Sequence, residues 1–373
     1  MSPPMSLTFD AVAEASPGPK WLARWNRSWP AYEAWFRSRG GDSGPSAPEC
    51  RAALLQHMPE IAPVYDQLVV LVGGGDRPAR FLSTWCPPRY LGGCSLAALS
   101  AEGEARLVRN YDLSPDLNEG LLLRSEWTGR AVMGMVEFLW GLSDGINDAG
   151  LSVALAYGGR SETGRGFGIT TILRYVLETC DTVSTAVAVL TRVPSHMAYN
   201  IVLADADGAT ASVELSPGGG LRQMPRAVAT NHQSDGSTPD RAQFTRTFAR
   251  HAHLRGLNTT PDALHRPFLL PPLFQDRHSE GFGTLFTADY APRTRRLSLL
   301  WPDARWEQSL EDFAEGRRVV DYARQPLAAA PSACAETQGS RVDWSRAAAI
   351  DWQSLARDFA AGQGRDILTY LPR

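Results

Sequence analysis

Cys94 stands in the run PRYLGGCSLAAL, directly after two glycines, and the strand-like segment ARLVRNYD that follows carries Arg109 and Asp112. A cysteine attacks as its thiolate, which a neighbouring guanidinium favours, and a carboxylate close by can hold a cation. The turn between the two segments makes their proximity a matter of counting. With AEGE (residues 101–104) as the turn, Ser100 pairs with Ala105 and Cys94 faces Tyr111. A slip of one or two residues would leave 109–112 beside the cysteine.

If the Gly93–Cys94 bond were broken, Cys94 would gain an α-amine of pKa about 7.7–8.0, close to the ~8.5 of its own thiol. Such an amine is a competent general base for that thiol, and an amide nitrogen is not. Asp112 would then orient the ammonium, and Gly92 and Gly93 would allow the backbone geometry that an N-to-S acyl shift requires.

These residues need a scaffold, and the chain from position 94 onward reads as one. Short alternating runs (CSLAALS, ARLVRNYD, RAVMGMVEFLW, GLSVALAY, YNIVLAD, TASVEL, RAVATN, GTLFTADY and RRLSLLW) are joined by turn signals such as AEGE, GINDAG, DADG and APRT. Helical stretches interrupt them at GITTILRYVLETC, after an N-cap at Asp181 or Thr182, and at DRAQFTRTFARHAHLRG. Strands with inserted helices predict a layered α+β domain. Upstream, WLARWNRSWPAYEAWF reads as a covering helix interrupted by Pro30. HMPEIAPVYDQLVVLVGGGD reads as a helix ended by its glycine triplet, which lacks the Lys-Ser/Thr of a phosphate loop. RQPLAAAPSACAETQGS reads as a linker before a C-terminal helical tail. The expected division is an N-terminal helical segment over 1–93, a core over 94–325, and linker plus tail over 326–373.

Composition excludes several classes. The 373 residues are 43% apolar and 21% charged, with a net charge of −3, so disorder drops out and neither nucleic acid nor an anionic membrane is expected as a partner. No apolar run reaches the ~18 residues of a spanning helix, and MSPPMSLTFD does not open as a signal peptide. Five cysteines without a CxxC pair predict reduced thiols in the cytoplasm. The histidines show no metal-ligand spacing, and no metal or cofactor is expected.

GGCS, VRNYD, GINDAGLSV, YNIVLADADG, AVATNHQ and STPDR, taken in that order over about residues 50–300, resemble the choloylglycine hydrolase and isopenicillin N acyltransferase group of N-terminal-nucleophile (Ntn) hydrolases, in particular its self-processing acyltransferase-like members. No single motif carries the likeness; the order does. The resemblance implies a four-layer αββα sandwich of two antiparallel sheets. It implies that Cys94 is the nucleophile and new N-terminus, polarised by Arg109, with Asp112 binding the α-amine, Asn231 donating to the oxyanion, and Arg241 completing the polar cluster. Where some members carry an asparagine as a second oxyanion donor, this chain reads GLSVALAYGG, which leaves Tyr157 as the candidate for contacting substrate. The 93 residues ahead of Cys94 match the acyltransferase branch.

Each reading has a plainer rival. Cys94 could be a small core residue, Arg109 and Asp112 a cross-strand ion pair, Asn231 a turn cap, and Arg241 part of a solvated helix face; Asn147 serves its turn, and His232 would suit a Cys-His mechanism. Cys50, Cys86, Cys180 and Cys334 read as structural. The expected function is a self-cleaving amidohydrolase or acyltransferase working through a thioester on a small amide or acyl donor, an acyl-CoA among the candidates, with its own N-terminal chain retained and a homo-oligomer compatible with it. The alternative is a non-catalytic binding protein that never matures. Pocket walls are expected from loops 113–130, 157–168 and 265–282, with RPFLLPPLF as a candidate acyl pocket.

Overall fold

The computed structural model describes residues 5–90 and 92–322. The linker and tail expected from residue 326, and Cys334 within them, lie outside the described residues. The N-terminal segment opens on a strand, β1 (Ser6–Glu14), followed by α1 (Pro19–Ser38), α2 (Ala47–His57), α3 (Ala62–Leu71) and α4 (Asp76–Ser83). Two expectations are corrected here. Pro30 lies inside one continuous 20-residue helix, and the glycine triplet both ends α3 and opens α4, with Gly75 at the N-cap of the latter. β1 went unforeseen because its alternation, SLTFDAVAE, is weak and partly exposed.

The core begins with β2 (Gly93–Ala101) and β3 (Glu104–Leu113), then β4 (Leu121–Ser125), β5 (Val132–Glu137), β6 (Gly141–Asn147) and β7 (Ser152–Tyr157). The helices α5 (Ile169–Thr179) and α6 (Val183–Arg192) intervene, and Thr182 caps α6 through the Thr185 N–H. There follow β8 (Tyr199–Ala204), β9 (Thr210–Leu215), β10 (Leu221–Gln223) and β11 (Val228–Ala229). The basic helix is split at Arg246, which is left-handed, into α7 (Ala242–Thr245) and α8 (Thr247–Arg255). After α9 (His265–Phe268) come β12 (Asp276–Arg277), β13 (Phe282–Ala291), β14 (Arg296–Trp301), β15 (Ala304–Ser309) and β16 (Gly316–Asp321).

The strands form two sheets, one in the order β10-β9-β8-β7-β6-β5-β4-β1-β16 and the other β11-β2-β3-β13-β14-β15, with β12 attached to β13. All pairings are antiparallel except β1 with β4. The strand of the N-terminal segment is thus built into the larger sheet, between β4 and β16.

Strand alternation sorts side chains into layers. Leu96, Ala98, Leu107 and Tyr111 of the smaller sheet meet Met133, Met135, Ile146, Ala154 and Val202 of the larger between the sheets. The neighbours Ala97 and Val108 point the other way, into a core with Leu254 of α8 and Phe268 of α9. The outer face of the larger sheet is covered by α1 to α6, with Trp21, Trp25, Leu68, Ile172 and Val176 buried. Helix, sheet, sheet, helix is the αββα sandwich. Phe268 and Leu273 of RPFLLPPLF are core residues of the outer layer, so that run supplies packing to the smaller sheet. No helix among the described residues is long and apolar enough to cross a membrane.

Candidate active site

The hairpin that opens the core fixes the first two site residues. Its strands pair through Ala101 and Glu104, one residue further than AEGE as a four-residue turn requires, because Glu102 and Gly103 both adopt positive φ in a two-residue turn. The register is as counted: Cys94 faces Tyr111 and Gly93 faces Asp112. Since Cys94 and Arg109 both point between the sheets, the Arg109 guanidinium reaches the sulfur and donates from Nη2 to Sγ at 3.2 Å. Its other nitrogen donates to Asp144 Oδ2 at 2.7 Å and Ser143 Oγ at 2.8 Å, both on β6 of the opposite sheet. Arg109 and Asp144 are fully buried, and the carboxylate supplies the countercharge a buried guanidinium needs.

Asp112 lies on the outer face of the same strand, where alternation puts it. It accepts a hydrogen bond from Thr284 Oγ1 on β13 at 2.7 Å and pairs with Arg250 Nη1 at 3.4 Å. The Cys94 backbone N–H donates instead to Asn231 Oδ1, at 3.1 Å. Asn231 follows β11, the short strand beside β2. Its Oδ1 also accepts from Arg250 Nη2 at 2.8 Å, while its Nδ2 donates to the Tyr157 carbonyl at 3.0 Å. Two N–H donors on one side and a carbonyl on the other determine which way the amide faces.

Arg250 is the residue the sequence reading missed. From α8 it donates to the Cys94 carbonyl (2.6 Å), Ser95 Oγ (2.8 Å) and Asn231 Oδ1, and faces Asp112. Arg241, expected in this place, is exposed and lies over the Phe244 ring at 4.1 Å; left-handed backbone at Arg241 and Arg246 turns the chain so that the next helix carries the arginine inward. A signal existed: Thr247, Arg250 and Leu254 share one buried helix face, and an arginine on such a stripe must be partnered. Tyr157 contributes its carbonyl, its phenol being engaged with Asp240 Oδ2 at 3.0 Å. His232 bonds to Thr247 Oγ1 at 2.9 Å, not to Cys94, and Asn147 ties its own turn to α5 and the segment after it.

Burial dominates the electrostatics. It pushes the Cys94 thiol up to about 11, Arg109 opposing and Asp112 reinforcing. The sulfur is therefore mainly a protonated thiol near neutral pH. Burial likewise raises the Asp112 carboxyl, against Arg250 and Thr284. For Arg109 burial works against the charge, but Cys94 and Asp144 hold its pKa above the ordinary arginine value. Gly93 is buried against Phe282, and a Cβ there would stand 2.3 Å from that ring. Among the described residues no cluster of His, Cys, Asp and Glu could hold a metal ion. Cys50, Cys86 and Cys180 are free thiols, as Cys94 is.

A small apolar cavity lies between the N-terminal segment (Trp35, Phe36, Phe81 and Tyr90) and Phe138, Gly168 and Thr170 of the core.

The layered sandwich, with a cysteine on the first strand of its smaller sheet and arginine, aspartate and asparagine converging on it, is the architecture of an Ntn hydrolase. Residues 100–306 match the family model described as acyl-coenzyme A:6-aminopenicillanic acid acyl-transferase. More than half of the chain is matched, and the chain belongs to this family, among amidohydrolases and acyltransferases. The match begins six residues after Cys94 and includes Arg109, Asp112, Asn231 and Arg250. Among solved structures, a variant of the conjugated bile acid hydrolase from Clostridium perfringens is similar over 64% of this chain and 99% of its own, at 13% identity and a TM-score of 0.43. Penicillin V acylase from Agrobacterium tumefaciens is similar over 58% and 86%, at 16% identity and 0.41. The Caenorhabditis elegans ortholog of N-acylethanolamine-hydrolyzing acid amidase is similar over 61% and 99%, at 16% and 0.41. No curated protein matches the chain.

Proposed function

We propose that the protein is a self-activating cysteine amidohydrolase or acyltransferase that forms a thioester at Cys94. The observation that carries this reading is the double grip on one residue: Arg109 on the sulfur at 3.2 Å and Asn231 on the backbone nitrogen at 3.1 Å. A structural cysteine needs no buried guanidinium on its sulfur, and its N–H would ordinarily find a backbone acceptor in the sheet.

In the first step the Cys94 sulfur adds to the Gly93 carbonyl carbon. The C–N bond breaks as the nitrogen takes up a proton, leaving Gly93 as a thioester on Cys94. Water hydrolyses that thioester, which returns the thiol and frees both the Gly93 carboxylate and the Cys94 amine. Burial of the thiol slows this first step; once the bond is broken, the nitrogen held by Asn231 is an amine that can take the thiol's proton in the turnovers that follow. Arg250 beside that nitrogen disfavours its ammonium form, and Asp112 favours it; the pair keeps the amine in the range where it serves as a base.

In turnover the thiolate attacks an acyl carbonyl, the amine passes its proton to the departing nitrogen or thiol, and water or an amine takes the acyl group from sulfur. Asn231 Nδ2 carries a second hydrogen for the oxyanion, and such a donor is worth about 3–4 kcal/mol in the barrier. The family name points to acyl-CoA or small amides as substrates. Residues 1–93 would remain associated after cleavage, since β1 is hydrogen-bonded into the larger sheet on both sides.

Mass spectrometry of the purified protein under denaturing conditions tests the first half. We expect fragments 1–93 and 94–373, and a Cys94→Ala chain that stays whole. An acyl-donor panel assayed on cleaved protein tests the second, and turnover retained by Cys94→Ala would remove the thiol from the mechanism. A wild-type chain that stays whole after long incubation, with no label from an acylating thiol probe, would favour a binding protein.

A further inference from the structure

Glu137, the last residue of β5, is a partly buried acid at the reactive centre that the mechanism above does not use. The Tyr111 phenol donates to its carboxylate. Tyr111 is the cross-strand partner of Cys94, and the Arg109 guanidinium lies over the Tyr111 ring, 4.5 Å from its centre. Carboxylate, phenol, guanidinium and sulfur form one connected series.

The position of Glu137 is held against strain. The next two residues, Phe138 and Leu139, have φ of 55° and 69°, a region that costs bulky residues about 1–3 kcal/mol each and persists only where the surroundings enforce it. Those surroundings come largely from the N-terminal segment. Trp21 Nε1 donates to the Leu139 carbonyl at 3.0 Å and Trp140 Nε1 to the Leu82 carbonyl at 2.9 Å. The Leu139 N–H donates to Glu119, which also accepts the Tyr32 phenol. The Phe138 ring packs on Tyr90, 4.6 Å between centres.

We propose that Glu137 is a positioning residue for the Arg109–Cys94 pair: through Tyr111 it seats the guanidinium over the sulfur, and its charge decides how much of that guanidinium's field reaches the sulfur. Ionised, Glu137 competes for Arg109 and repels a thiolate; protonated, it leaves Arg109 to the sulfur. Burial pushes its carboxyl up to about 7, with Arg109 and Tyr111 opposing and Glu119 and Asp144 adding to the rise, so both states are accessible near neutral pH. The groups that face it are Arg109 and Tyr111 on β3, Cys94 on β2, Asp144 on β6, Glu119 before β4, Tyr32 on α1, Tyr90 after α4 and Tyr199 on β8. The proposal rests on Cys94 being the reactive thiol.

The test is the pH dependence of Cys94 alkylation by iodoacetamide, read from the mass of the Cys94 peptide, in full-length wild type and Glu137→Gln. Wild type should show an inflection near pH 7 ahead of the main thiol limb. Glu137→Gln should lose it and label about three- to tenfold faster at pH 8, as expected for a thiol pKa lowered by about half to one unit. Superimposable profiles from a variant that melts like wild type would overturn the proposal. If Glu137→Gln fails to fold, Glu137→Asp retains the charge but retreats from Tyr111; a displaced inflection supports the proposal and an unchanged one overturns it. Alkylation needs neither cleavage nor turnover. Loss of the mechanism above would appear instead as activity in Cys94→Ala, so the two failures are distinguishable.

Discussion

Arg250 Nη2 donates to Asn231 Oδ1 at 2.8 Å, and the same oxygen accepts the Cys94 N–H. A helix arginine and an asparagine two positions beyond an edge strand are thereby joined at the nitrogen on which the proposed chemistry turns. The arginine that reaches this cluster is nine positions beyond Arg241, the one the motif order indicated.

That difference is measurable. Replacing Arg250 by Met leaves Asp112 buried without its cation, and breaking a buried pair from one side costs about 3–5 kcal/mol. Arg250→Met should melt far below wild type and lose cleavage. Adding Asp112→Asn should recover more than half of the lost stability without restoring cleavage. Arg241→Ala, at an exposed residue, should stay within about 0.5 kcal/mol of wild type. Thermal melts and fragment analysis of the four chains decide it, and the reverse ranking of Arg241 and Arg250 would refute the assignment.

Asn231→Ala removes the acceptor for the Cys94 nitrogen and the candidate oxyanion donor together. Turnover should fall about 100-fold or more, seen in kcat for any acyl donor the wild type processes. A variant that changed KM alone would place Asn231 in binding only.

Gly93→Ala puts a methyl group into the Phe282 ring. Overpacking of this kind costs about 1–3 kcal/mol, and the displaced peptide should cleave more slowly. Phe282→Ala in the same chain should return part of both losses. The measurements are melting temperature and the rate of fragment appearance, and additive effects of the two substitutions would show that they do not touch.

Asp289 on β13 offers a stability test outside the site. Burial raises its carboxyl to about 6, against Arg106 and Arg305. A carboxyl raised from 3.8 to about 6 stays protonated in the folded chain while the unfolded chain ionises. Its contribution is full below about pH 4 and is lost as pH rises to 6, an effect of about 3 kcal/mol. Asp289→Asn should flatten the pH dependence of urea unfolding between pH 4 and 6; an unchanged slope would mean that the carboxylate is stabilised where it lies.

Much of the site was legible because β-pairing is locally encoded. A tight turn fixes register, and a period of two then assigns faces, so the Cys94–Tyr111 pairing and the approach of Arg109 to the sulfur follow from counting residues. Strands with strong alternation, such as β3, β8 and β13, were equally plain. β1 and β16 were not, for they are half-exposed and find partners hundreds of positions apart in the chain. Nor was β6, a fully buried, polar, glycine-containing run whose last three residues belong to the GINDAG read as a turn, with Asp144 facing Arg109.

The sequence by itself determined the hairpin that brings a cysteine beside an arginine, since both the turn and the alternation reside in twenty consecutive residues. Only the tertiary structure decided which second arginine, which carboxylate and which turn meet that hairpin. Those groups arrive on α8, β6 and the loop after β5, and their placement depends on how whole layers pack. Burial of the thiol is likewise a property of the assembled sandwich: the same arginine that would favour a thiolate in water is outweighed once two sheets close over the sulfur.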